Sequence, residues 1–137
     1  MRAARRLPAW PDSAAALARL AADHELIGLS NADHTTLLRI NANSGLRWHT
    51  ALATQAARTY KPDPAGYRLA IDCADRSPER MLMVAAHAWD LRGAQASGMR
   101  TAYLDRRGGD PPAPDDRFDL HLAVLDALPD LLAGIRR

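Results

Sequence analysis

The sequence predicts an α/β fold, a parallel sheet with helices on both faces. Two observations carry that prediction. Short, almost wholly apolar runs alternate along the chain with stretches whose apolar residues recur at helical spacing. Gly, Pro, Asp and Ser punctuate nearly every junction between them. Helix and strand in alternation imply parallel strands joined by crossover helices. At 137 residues the chain holds one domain, spanning 1–137, with a modest core.

The elements follow in order. Pro11-Asp12-Ser13 opens a helix whose buried stripe is Leu17, Leu20 and Ala21, ending near Asp23. Leu26-Ile27-Gly28-Leu29 reads as a strand covered on both faces, with Ser30 and Asn31 at its end. Asp33 caps a second helix carrying Leu37, Leu38 and Ile40 and stopping at Gly45. Residues 48–53 give a weak strand signal. Asp63 and Pro64 form an N-cap and first-turn pair for a helix through Tyr67, Ala70 and Ile71. Met81-Leu82-Met83-Val84-Ala85 is the clearest buried strand, and Asp90 caps the helix after it, which Gly98 ends. Thr101-Ala102-Tyr103-Leu104 is another strand. Residues 105–117, rich in Gly, Pro and Asp, read as a surface loop. An edge strand over 118–122 and a helix striped by Leu125, Leu128, Leu131 and Leu132 complete the chain.

Composition narrows the function. The net charge is only +2, and five of seventeen arginines crowd the two ends, so no basic face for nucleic acid is indicated. No apolar run reaches membrane-spanning length, and Pro8 and Pro11 interrupt any signal-type segment, so a cytoplasmic location is expected. Cys73 is the single cysteine, which excludes an internal disulfide and reads as buried filler. The five histidines show no metal-ligand spacing.

Lys61 is the only lysine in a chain otherwise basic through arginine, which marks a position that needs a compact point charge. In parallel α/β folds the working groups gather in loops after the carboxyl ends of the strands. Ser30, Lys61 and Asp90 all fall there. Taken singly, Ser30-Asn31 and Asp90 read as helix caps and Lys61 as a solvated side chain. Together, a hydroxyl, an ammonium and a carboxylate suit binding of a small anion or support of a carboxylate nucleophile. None of the three is itself an obvious nucleophile, because Ser30 lacks a Gly-x-Ser-x-Gly elbow.

Five stretches resemble the haloacid dehalogenase superfamily, and within it the type II 2-haloacid dehalogenases. They are Leu7-Pro8-Ala9-Trp10-Pro11-Asp12, Gly28-Leu29-Ser30-Asn31, Tyr60-Lys61-Pro62-Asp63-Pro64-Ala65-Gly66-Tyr67, Met83-Val84-Ala85-Ala86-His87-Ala88-Trp89-Asp90-Leu91-Arg92-Gly93-Ala94 and Gly98-Met99-Arg100-Thr101-Ala102-Tyr103. The likeness covers essentially the whole chain, in order. It implies a Rossmann-like haloacid dehalogenase core. It also implies that Ser30 and Asn31 bind the substrate's carboxylate or developing negative charge. Lys61 would stabilise a nucleophilic aspartate, and Asp90 would pair with Lys61 and help position the hydrolytic water. Tyr67 and Trp89 would be substrate-side residues, with His87 a polar neighbour of the site.

The chain departs from the family pattern in three respects. Ala85 and His87 stand where such dehalogenases commonly carry serine and asparagine. Ala86 stands where magnesium-dependent phosphatases of the superfamily carry an acid, which favours a metal-free dehalogenase; magnesium belongs only to the phosphatase alternative. The family's first motif, with its nucleophilic aspartate, and the cap domain precede the stretch matched here, so the core is expected to be incomplete and the chain inactive alone. The implied partners are a short 2-halo carboxylate substrate and a homodimer mate or complementing N-terminal segment. Neither nucleic acid nor membrane is implied. The alternatives are a phosphatase of the same superfamily and a non-catalytic remnant or partner module.

Overall fold

The computed structural model describes residues 13–30, 50–54, 58 and 60–135. In chain order the elements are α1 (Ser13–Ala21), β1 (Ile27–Ser30), β2 (Thr50–Ala53), α2 (Pro64–Ala74), a 3-10 turn (Pro78–Arg80), β3 (Leu82–Ala85), α3 (Ala88–Ala96), β4 (Arg100–Leu104), β5 (Leu120–Leu122) and α4 (Ala127–Ile135). All strand pairings are parallel, as the alternation predicts. β1 pairs with β2, opposing Ile27 to Thr50 and Ser30 to Ala53. β3, β4 and β5 form a second sheet in that order, opposing Ala85 to Tyr103 and Tyr103 to His121. The expected helix over 33–45 lies outside the described residues.

The period-2 alternation of the strands divides the core between the two faces. Leu82 and Val84 of β3, Ala102 and Leu104 of β4 and Leu122 of β5 turn to one side, against Ala16, Leu17 and Leu20 of α1, Leu125 just before α4 and Leu128 within it. Met83, Ala85 and Tyr103 turn to the other side, against Ala88 and Leu91 of α3 and Phe118. Leu29 of β1 and Met83 of β3 both pack on the cluster of Tyr67, Ala94 and Met99, which ties the two sheets together through α2 and α3. Each fully buried leucine in these clusters contributes roughly 1.5–3 kcal/mol through removal from water. Arg19 of α1 also pairs with Asp130 of α4 at 2.9 Å on the surface, where such a contact contributes little.

Several sequence expectations are corrected. β3 is only partly buried along its whole length, whereas residues 101–104 of β4 are buried. Pairing explains the difference. β4 has a neighbour on both edges, while β3 has a partner on one edge only among the described residues. Cys73 is exposed rather than buried, because it lies on the outer side of α2. Leu131 is also exposed, so the last apolar stripe is narrower than expected. Among the described residues no helix is long and apolar enough to cross a membrane.

Candidate active site

The segments that follow β2 and β3 build the candidate site. Lys61 lies between β2 and α2, in a turn closed by the Asp63 amide donating to the Tyr60 carbonyl at 3.0 Å. Asp63 then caps α2, its carboxylate accepting from the Ala65 amide at 2.9 Å, with Pro64 in the first turn, as the sequence predicts. The cap sets the direction of α2, and α2 carries Tyr67 inward until no part of it is exposed. Close packing continues around Lys61. A Cβ on Gly66 would stand 3.3 Å from Cγ2 of Thr54, a fully buried residue that follows β2.

Asp90 is where these elements converge. It does not cap α3, contrary to the sequence expectation. The helix begins at Ala88, so Asp90 sits inside the first turn and the cap position falls to His87, whose side chain makes no capping bond. Being inside the turn points the carboxylate into the protein. The Lys61 ammonium donates to Oδ2 at 2.6 Å, with each side chain only 9% exposed. The Tyr67 hydroxyl donates to Oδ1 at 2.7 Å and also lies 2.9 Å from the Asp90 backbone carbonyl.

Burial, followed by the hydrogen bond to Asp90 and the nearby negative charge, pushes the Tyr67 phenol well above its ordinary value. Tyr67 is therefore a permanent donor. A phenol and an ammonium hold the two oxygens of one carboxylate in a single orientation. Removing either donor would leave a buried charge short of a partner, and breaking a buried pair costs about 3–5 kcal/mol. The Asp90 carboxylate is thus held in one orientation at the base of the candidate site.

The remaining predicted site residues are placed as follows. His87 is partly buried immediately before α3, its ring 5.9 Å from the Trp89 ring, and Trp89 is 37% exposed. Trp89 therefore faces outward from the buried pair. Ser30 ends β1 opposite Ala53 of β2, at the carboxyl edge of that sheet. Asn31 lies outside the described residues. The structure unites Lys61, Tyr67 and Asp90, with His87 and Trp89 flanking them along the chain.

Three contributors have no clear signature in the sequence. Gly93 faces Tyr67 so closely that a Cβ there would stand 2.5 Å from the hydroxyl oxygen. Asp110 and Asp116, in the loop read as surface, both reach back to α3. Asp116 forms a two-pronged bond with Arg92, at 2.9 and 2.7 Å, and accepts from the Ala113 amide at 2.7 Å. The Arg92 guanidinium, then the Ala113 amide, hold the Asp116 carboxyl down at about 2.

The described residues thus form a parallel α/β core with a lysine–carboxylate pair buried at its strand ends. Comparison with known proteins makes the class specific. The haloacid dehalogenase-like hydrolase family matches residues 1–98, and the chain belongs to that family. It is 31% identical over 107 residues to haloacetate dehalogenase H-2 of Moraxella sp. (strain B), covering 77% of this chain and 48% of that protein. It is 32% identical over 114 residues to (S)-2-haloacid dehalogenase 4A of Burkholderia cepacia, covering 81% and 49%.

Among solved structures, the L-2-haloacid dehalogenase of Xanthobacter autotrophicus with chloropropionic acid covalently bound superposes with a TM-score of 0.88. It is 26% identical, and the match covers 98% of this chain and 64% of that one. The chain thus spans about half the length of the curated relatives it matches, in their C-terminal portion. The expected fold and family are both borne out.

Proposed function

We propose that this chain supplies the charge-stabilising and water-side half of a hydrolytic 2-haloacid dehalogenase acting on short 2-halo carboxylates such as 2-haloacetate and 2-halopropionate. The observation that carries the reading is the buried Lys61–Asp90 pair at 2.6 Å, held by Tyr67 at the strand ends. Dehalogenases that act on haloacids, at about 30% identity, support the substrate class.

In the reaction, a carboxylate nucleophile from a complementing N-terminal segment displaces halide from the α-carbon. The C–halogen bond breaks as the ester C–O bond forms, and water then hydrolyses the ester, returning the carboxylate and releasing the 2-hydroxy acid. Lys61 keeps the nucleophile charged and close. Asp90, fixed on two sides, directs the water, and Ser30 and Asn31 bind the substrate's negative charge. His87 and Trp89 border the substrate. The protein works as one core domain in the cytoplasm, completed by that N-terminal segment or by a second copy.

The test is halide release from (S)-2-chloropropionate by protein carrying this chain together with the family's first motif. Release is expected, and Lys61→Ala or Asp90→Ala should abolish it. Inactivity of the unmodified protein on every 2-haloacid tried would overturn the assignment.

A further inference from the structure

The helix that carries Asp90 begins without a cap of its own. Its first amides have no intrahelical acceptor, and His87, at the cap position, supplies none from its side chain. The acceptors come instead from the loop between β4 and β5. The backbone carbonyl of Asp110 accepts from the Ala88 amide at 2.8 Å, and its carboxylate oxygen Oδ2 accepts from the Trp89 amide at 3.1 Å. The Asp110 amide in turn donates to the Ala86 carbonyl at 3.0 Å, and His87 and Asp110 are bridged as in a parallel sheet. One residue therefore satisfies three backbone groups flanking the start of α3.

The neighbouring residue permits this close approach. A Cβ on Gly109 would collide with the Ala86 carbonyl oxygen, so only glycine lets the loop lie this near. The loop is tied down further along α3 as well. Asp116 clasps Arg92, and the Arg117 carbonyl accepts from the Gln95 side chain at 2.7 Å.

We infer that Asp110 is a positioning residue for the site. By capping α3 from outside, it fixes the first turn that aims Asp90 at Lys61 and Tyr67. Asp90 is one residue beyond the amide that Asp110 holds, and its own amide donates to the His87 carbonyl at 3.1 Å. Freeing that end lets the first turn fray, and the Asp90 carboxylate moves with it. A catalytic group displaced by about 1 Å can lose a hundredfold in rate. The catalytic consequence rests on the dehalogenase reading; the structural consequence does not.

Because Lys61 is the only lysine, its ammonium gives a single lysine signal, and that signal reports the pair directly. In the ¹H–¹⁵N spectrum of the protein, a Lys61 Nζ cross-peak protected from exchange is expected. It should vanish in Asp90→Asn and in Asp110→Ala, and persist in Asp110→Asn, whose amide oxygen caps as well as a carboxylate. Gly109→Ala, which pushes the loop away with Asp110 intact, should behave as Asp110→Ala does. Circular dichroism establishes that each variant is folded.

A folded Asp110→Ala or Gly109→Ala with an unchanged cross-peak overturns the inference. So does a folded Asp110→Asn that has lost it, or an unmodified protein that never shows it. In turnover of 2-chloropropionate, kcat for Asp110→Ala should fall roughly tenfold to hundredfold with KM little changed, and Asp110→Asn should restore it. Absence of turnover in the unmodified protein would sink the dehalogenase reading, while the cross-peak would still decide whether Asp110 positions Asp90.

Discussion

Replacing Gly93 by alanine separates two physical accounts of α3, because they predict opposite signs. Gly93 lies in the interior of a helix, where alanine is favoured over glycine by about 1 kcal/mol. Propensity alone therefore predicts a more stable protein. The packing predicts the reverse. The new Cβ would stand 2.5, 2.7 and 2.8 Å from the hydroxyl oxygen, Cε2 and Cζ of Tyr67, all well inside contact distance. Tyr67 is fully buried, so its ring cannot swing aside without displacing neighbours.

The ring must retreat from Asp90, forfeiting a hydrogen bond to a charged group worth about 1.5–3 kcal/mol. Overpacking adds about 1–3 kcal/mol. Net of the propensity gain, Gly93→Ala should destabilise by roughly 1.5–5 kcal/mol. Equilibrium urea unfolding measures this directly. The same substitution in a Tyr67→Phe background should cost less, because the hydrogen bond is already gone and only the ring contacts remain. A neutral or stabilising Gly93→Ala, or an unchanged penalty in the Tyr67→Phe background, would refute the claim that Gly93 is there to admit Tyr67.

Other outcomes follow from the same geometry. Lys61→Met should destabilise by about 3–5 kcal/mol, and adding Asp90→Leu should recover much of the loss, since a buried pair replaced by apolar groups is often neutral; urea unfolding of the three proteins checks it. Asp116 has a folded value lowered to about 2 from 3.8, so its contribution is present above 3.8 and lost as pH falls through about 2. Acid unfolding of Asp116→Asn should therefore show less loss of stability over that window than the unmodified protein. Tyr67 is raised above its ordinary 10, so its contribution is complete below pH 10 and is lost only as pH rises toward the folded value. Ultraviolet titration should show Tyr67 ionising only as the protein unfolds, and Tyr67→Phe should flatten the alkaline decline in stability.

The candidate site was legible where its signal was local. Lys61 stands out because no other lysine competes with it, and Asp63-Pro64 announces its helix through side-chain and ring geometry confined to adjacent residues. The parallel sheet was legible for a similar reason, since alternation is a property of neighbouring segments. Asp90 was found but given the wrong local role. An aspartate before a helix and one within its first turn look alike in sequence, and the register of α3 is decided by Asp110 gripping residues 86–89.

By itself the sequence determined the parallel topology and singled out Lys61 and Asp90, which rest on residue type and short-range spacing, while the family and the place of Tyr67 in the site came from its resemblance to the haloacid dehalogenases. The family resemblance implied that Lys61 and Asp90 pair, and the tertiary structure gave that pairing its form, a buried contact of 2.6 Å between residues 29 apart. It likewise decided that Gly93 makes room for Tyr67, that Cys73 faces outward, and that a polar loop over 105–117 supplies the cap of the helix bearing Asp90. These are contacts between distant segments, and they depend on how the strands bring helix and loop together at one edge of the sheet.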